Sequence, residues 1–268
     1  MPNRHSVVVA TLAVVSSIQG VAQAGAGVPS VDEIVSRMVA RNAERTAQCR
    51  SYRNLRDYHV TYHGFPGSKE ADMQVEMSFV APSTKAFRIL STSGSKFLVD
   101  RVLKKLLESE QEASIEQSHT ALTPANYTFE FDGTESSEGR TLFVLRVRPK
   151  VDNKFLYKGK IWIDSQDYAV TRIDAQPAKN PSFWIKNTEI HQTYTKVGDF
   201  WFPSENQSET KVRLGGVSKL TITYSNYDIG NRSLRAVPTK ESRTPVDANL
   251  TPLLSTRIDN EFATPLNH

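Results

Sequence analysis

Apolar residues recur at Val31, Ile34, Val35, Met38 and Val39, the spacing of one helix face, and Ser30-Val31-Asp32-Glu33 forms a capping box before them. This predicts a helix from about Val31 to about Thr46. From Leu55 the period falls to two. Tyr58, Val60 and Tyr62 alternate with polar residues, and Met73, Val75, Met77 and Phe79 alternate with Gln74, Glu76 and Ser78. Two strands, each burying one face, are expected there, and Pro82 to Thr84 turns the chain into a third at Phe87 to Ser91. Helical spacing returns at Val99, Val102, Leu103, Leu106 and Leu107, with Lys104, Lys105, Glu108 and Glu110 read as the opposite, solvated face. A second amphipathic helix, about Lys96 to Ala113, therefore interrupts the strands.

Alternation resumes at Tyr127, Phe129 and Phe131, stops at the turn signal Asp132-Gly133, and continues through Phe143, Leu145 and Val147 to Pro149. Further strands are predicted at Gly159 to Asp164, Ala169 to Ala175, Phe183 to Thr195, Phe200 to Pro203, Ser208 to Leu214 and Lys219 to Tyr227. Their connections are of hairpin length, so consecutive strands should pair antiparallel. Two apolar helix stripes and one apolar sheet face must be hidden together. The expected fold class is α+β, mainly β: a curved antiparallel half-barrel of about ten or eleven strands, with an N-terminal helix and a second, lid-like helix across its mouth.

The start of the chain has a different character. Arg4 precedes an apolar run from Ser6 to Ile18, and Ala22-Gln23-Ala24 follows with small residues at the spacing of a signal-peptidase site. Residues 1–24 are read as a signal peptide, with Ala24-Gly25-Ala26 as a second cleavage register, and the mature chain is expected to be periplasmic. After Gly230 no apolar period survives, and 231–268 is read as a mobile C-terminal tail.

Over 268 residues, 38% are hydrophobic and 23% charged, which fits a globular chain and excludes a polytopic membrane protein or a wholly disordered one. The single Cys49 allows neither an intramolecular disulfide nor a thiolate metal cage. A net charge of +4 is spread among interleaved acids, which argues against nucleic acid as a partner.

Gly159-Lys160-Ile161-Trp162-Ile163-Asp164 and the following Asp167-Tyr168-Ala169-Val170-Thr171-Arg172-Ile173 resemble the bacterial outer-membrane lipoprotein-sorting proteins, the LolA/RseB-like periplasmic carriers. Asp100 to Leu107, Asn180 to Trp184 and Lys196 to Pro203 extend the resemblance over about Val31 to Ile229. It implies that 28–230 is a LolA-like half-barrel whose helices roof an apolar cavity for acyl chains. At one position the chain departs from the carriers. They place an arginine, which latches the lid, directly before the proline that follows the second strand, and this chain has Ala81 there.

Catalytic motifs are sparse. Ser93-Gly94-Ser95-Lys96 fits a serine-x-x-lysine pattern but equally an ordinary helix start, and its usual partner motifs are absent. His59 and His63 have metal-ligand spacing on a helix, whereas in a strand they stand about 13 Å apart. Asp164 and Asp167 fall at a turn. Trp162, Trp184 and Trp201 fit either core or cavity lining. The expectation is therefore a non-enzymatic protein without cofactor or metal, binding lipid or lipoprotein acyl chains in lipoprotein sorting or lipid transport. Its lid and cavity candidates are Val99, Val102, Leu103, Leu106, Met77, Phe79 and Phe129. The alternative is an RseB-like envelope sensor that binds an envelope or inner-membrane protein.

Because the tail shows no apolar period, deleting residues 231–268 should leave the thermal midpoint nearly unchanged. A fall of many degrees would show that the tail pairs with the sheet.

Overall fold

Ten strands, most of them marked by alternating apolar residues, are joined largely by hairpin connections into one antiparallel sheet. The computed structural model describes residues 27–81, 84–115, 121–153, 155–179, 185–213 and 215–230. The expected signal peptide and tail, with the Pro82 turn and Trp184, lie outside these residues.

Helix α1 (Val31–Gln48) leads into strands β1 (Ser51–Gly64), β2 (Lys69–Val80) and β3 (Thr84–Gly94). Helix α2 follows; it is α-helical over Lys96–Leu98, π-helical over Val99–Leu103 and α-helical again over Lys104–Ile115. Then come β4 (Tyr127–Ser137), β5 (Arg140–Pro149), β6 (Tyr157–Asp164), β7 (Val170–Pro177), β8 (Ile185–Val197), β9 (Phe200–Val212) and β10 (Gly216–Ile229). The strand order is β3-β2-β1-β10-β9-β8-β7-β6-β5-β4. The sheet is curved and unclosed, with β3 and β4 at its two edges. The first strand pairs with the last, Tyr58 opposite Ile222 and Val60 opposite Leu220, and so joins the β1–β3 hairpins to the remainder of the sheet.

Each helix covers one half of the concave face. The Ser30 hydroxyl caps α1 by accepting from the Glu33 N–H at 3.2 Å. Below it Ile34, Val35 and Met38 pack on Phe143, Leu145, Ile161, Ile163 and Ile173 of β5 to β7. Helix α2 lays Leu98, Val99, Val102, Leu103, Leu106 and Leu107 on Val60, Met73, Val75, Leu220 and Ile222 of β1, β2 and β10. At about 1.5 to 3 kcal/mol per buried aliphatic side chain, these stripes hold the helices down without help from the sheet's hydrogen bonds.

The structure corrects three sequence readings. Asp132-Gly133 is a bulge rather than a turn, because the register shifts between Phe131 and Gly133 and pairing continues to Ser137 opposite Arg140. The turn itself falls at Glu138-Gly139, both with positive φ (50° and 74°), the left-handed pair that a two-residue hairpin demands. The segments read as strands at Phe200 to Pro203 and Ser208 to Leu214 are one strand, β9, continuous along β8. Its inward positions Asn206, Ser208 and Thr210 are polar yet buried, so no apolar alternation marked it. Finally, Glu110 faces the sheet and not solvent, being only 5% exposed.

Strands β6 and β7 approach so closely at Gly159 that a Cβ there would lie 2.6 Å from the Ala175 Cα and nearer still to the Asp174 carbonyl oxygen. Backbone cannot yield as a side-chain tip can. Gly159→Ala should therefore destabilise by about 1 to 3 kcal/mol, lowering the thermal midpoint by several degrees. A midpoint equal to that of the wild type would contradict this approach.

Candidate functional site

The apolar stripe of α2 repeats every four residues, as Leu98, Val102, Leu106 and as Val99, Leu103, Leu107. In a regular α-helix such a repeat drifts by about 40° per step, because four residues turn through more than one revolution. The π-helical segment underwinds the helix where that drift would accumulate, and the Lys104 N–H reaches the Val99 carbonyl five residues back. The stripe consequently stays on the sheet from Leu98 to Leu107, and Glu110 arrives on the same face.

There the Glu110 carboxylate meets two cations. Arg56 of β1 donates from Nη1 to Glu110 Oε2 at 2.6 Å and from Nη2 to Oε1 at 3.3 Å. Lys85 of β3 donates from Nζ to Oε1 at 2.8 Å. All three side chains are at most 6% exposed. The Arg56 guanidinium also stands over the rings of Phe87 and Tyr224, at 5.4 and 5.2 Å from their centroids. Burial would raise the Glu110 carboxyl, but Arg56 and Lys85 outweigh it and hold the group at about 2. For Lys85 the balance is reversed: burial lowers its pKa by more than Glu110 raises it, and Arg56 lowers it further. One carboxylate thus serves two buried cations: despite its burial Arg56 is held raised by Glu110, and Lys85 is the less compensated of the two. Next to them Asn54 is 2% exposed. Neither its amide nitrogen nor its amide oxygen makes a hydrogen bond of normal geometry, and Arg56 Nε is likewise unpartnered.

The structure brings four of the expected site residues together: Val99, Val102, Leu103 and Leu106 share one cluster with Met73 and Val75. Met77 and Phe79 lie in a neighbouring cluster with Cys49, Tyr52 and Phe202, and Phe87 touches both clusters. Phe129 lies apart, partly buried against the α1 cluster. Arg56, Lys85, Asn54 and Glu110 escaped the sequence reading. A signal was present, because Glu110 stands four residues after Leu106 and three after Leu107.

The other candidate chemistry resolves into local structure. Ser93 donates to Asp72 at 3.1 Å, and the Ser95 hydroxyl accepts from the Leu98 N–H as helix cap. His59 pairs with Asp72 and His63 with Ser68, so the two histidines share nothing. Asp164 is fully buried, accepting from Arg140 and from the Gln166 and Asp167 N–H groups, a structural knot rather than a solvated turn. Trp162 lies on the outer face with Leu142 and Val144, and Arg172 stacks on it at 4.1 Å. An open cavity of about 1010 Å³ on the outer face is lined by charges such as Arg146, Lys160, Asp174 and Lys219. These are already paired, with Asp132, His191 or Glu209. Among the described residues no group of three His, Cys, Asp or Glu is placed to hold a metal, and no helix is long and apolar enough to cross a membrane.

A family of unknown function (DUF5686) matches residues 120–228. No curated protein matches the chain. Among solved structures it is similar to a Vibrio parahaemolyticus domain assigned to outer-membrane lipoprotein sorting, at 12% identity and a TM-score of 0.39, covering 76% of this chain and 93% of that one. A DUF1329 family protein from Desulfovibrio piger matches at 12% identity and a TM-score of 0.39, over 76% and 95% of the two chains. A LolA superfamily protein from Nitrosomonas europaea matches at 10% identity and a TM-score of 0.35, over 77% and 96%.

Because folding depresses the Glu110 carboxyl from 4.5 to about 2, its contribution to stability is complete above about pH 5 and is lost as the pH falls toward 2. The thermal midpoint of the wild type should fall across that window. In Glu110→Gln the midpoint should be lower at neutral pH and the fall shallower, since the group that titrates is gone. Equal slopes in the two proteins would show that this carboxylate is not held by the cations.

Proposed function

We propose that this chain is an exported, periplasmic, non-enzymatic protein that binds the acyl chains of a lipid or lipoprotein beneath α2. The observation that carries this reading is how α2 is attached. Its hold on the sheet rests on an apolar stripe and one ionic cluster, with Lys69 of β2 standing over the Phe97 ring at 5.2 Å, and α2 is not paired to any strand as a strand would be. Displacement of the helix would bare Val60, Met73, Val75, Leu220 and Ile222 as one apolar surface while leaving every strand pair intact. Acyl burial on such a surface is worth about 0.8 kcal/mol per methylene, so a long chain can replace the leucines that leave. Opening requires that α2 exchange one apolar contact for another and that Glu110 part from Arg56 and Lys85.

A second reading, a sensor that docks an envelope protein, is favoured by edge strand β3, where Ile89 and Leu90 are exposed on a strand that has no neighbour on its outer side among the described residues.

Leu106→Asp distinguishes a lid from a helix that only fills core. With the fold intact by circular dichroism, it should weaken displacement of a fluorescent fatty acid at least tenfold. Unchanged binding would reject the lid, and failure of the wild type to bind any acyl probe would favour the sensor.

A further inference from the structure

The ionic cluster under α2 is divided unequally between the moving and the fixed parts of the site. Arg56, Lys85 and Asn54 all belong to strands, β1 and β3, whereas Glu110 alone belongs to the helix. Cross-strand pairing sets the three strand residues on the concave face. Asn54 lies opposite Met77, Arg56 opposite Val75 and Lys85 opposite Phe79, and those partners are all buried, Val75 beneath α2 and Met77 and Phe79 in the neighbouring cluster with Tyr52 and Phe202. When Glu110 leaves with α2, two cations and a carboxamide remain fixed in an apolar surround of Met77, Phe79 and Phe87.

Such a group is stable only with an anion in it, since a buried cation without a counter-charge is strongly disfavoured. Even the closed state is short of anionic partners: two cations share one carboxylate, and among the described residues neither the Arg56 Nε–H nor the Asn54 amide N–H has an acceptor at normal geometry. A phosphate or carboxylate could accept from these unused donors as well as from the ones that Glu110 occupies. From Leu98 to Glu110 the helix covers about 18 Å of apolar concave surface leading away from the cations, enough to seat a fatty-acyl chain at full extension.

Resting on the acyl-binding reading above, we infer that Arg56, Lys85 and Asn54 form a headgroup site for an anionic amphiphile, a carboxylate or phosphate attached to an acyl chain, and that Glu110 occupies this site as an internal substitute when α2 is closed. The ligand's anion and chain thus replace, respectively, the carboxylate and the leucine stripe of the same helix. Two consequences follow for affinity. Removing the internal charge should favour the external one, and removing the strand cations should abolish the distinction between charged and neutral ligands.

The test is displacement of a fluorescent acyl probe by lauric acid, by methyl laurate, by lauroyl lysophosphatidic acid, and by sodium acetate and inorganic phosphate. In the wild type the two anionic amphiphiles should act at roughly tenfold or more lower concentration than the ester, the scale of one charge-assisted hydrogen bond. Acetate and phosphate should not displace. Glu110→Gln should bind lauric acid more tightly than the wild type, with methyl laurate less affected. Lys85→Met, which removes the less compensated cation and keeps the Arg56–Glu110 pair, should reduce the preference for acid over ester while circular dichroism stays native. Arg56→Met with Lys85→Met should erase it. Equal potency of acid and ester in the wild type would overturn the headgroup site and leave acyl binding standing. Displacement by acetate or phosphate alone would overturn the amphiphile in favour of a free oxyanion. No displacement by any amphiphile would overturn both this inference and the reading on which it rests.

Discussion

An unclosed antiparallel sheet of ten strands has one face that solvent cannot be allowed to reach, and the architecture follows from that constraint. The concave side carries Val60, Met73, Val75, Leu145, Ile161 and Ile222, all buried, and hairpins alone cannot cover it. The chain supplies the cover in two pieces: one helix ahead of β1, and one inserted where the strand order jumps from the β3 edge to the β4 edge. That jump is the longest interruption in an otherwise continuous meander. It occurs where the sheet would otherwise need a further strand or a closing pair, so a covering helix also serves as the connection between the two edges.

Burying a charge cluster at the boundary between the α2 cluster and the Tyr52–Phe79 cluster runs against that logic of apolar cover. Packed hydrophobic residues of similar volume would hold a helix at least as well as Arg56, Lys85 and Glu110 do. What the ions contribute is a difference between seated and unseated states. Apolar contacts lose strength gradually as a helix lifts. The bidentate Arg56–Glu110 pair is made or broken within a small displacement, which gives α2 a defined resting position.

Legibility in the sequence followed the purity of each element's environment. Strands β1 and β2 were readable because their inward residues from Tyr58 and Met73 onward are apolar and their outward ones polar. Strand β9 was not, because the middle of the concave face is lined by Gln192, Asn206, Ser208 and Thr210, which hydrogen-bond among themselves in part, as Asn206 does with Gln192 and Thr188 with Thr210. Asp132-Gly133 misled for another reason, since the same dipeptide serves a bulge and a turn, and only the pairing beyond it distinguishes them. Val99, Val102, Leu103 and Leu106 of the candidate site were visible as a stripe. Its charged members looked like surface residues individually, because a buried ion group is defined by partners on β1, β3 and α2 that no local window contains.

The seam between β1 and β10 has a consequence in time rather than in space. Tyr58 must find Ile222 from the far end of the chain, so this pairing has about the largest sequence separation that this fold permits. A polypeptide emerging from its amino terminus can form the β1-β2-β3 hairpins early, but the apolar inner edge of β1 stays without a neighbour until the last strand appears. Closing the β1–β10 seam is therefore the slow, late event, and until then the exposed edge is the part of the chain most open to capture by another molecule.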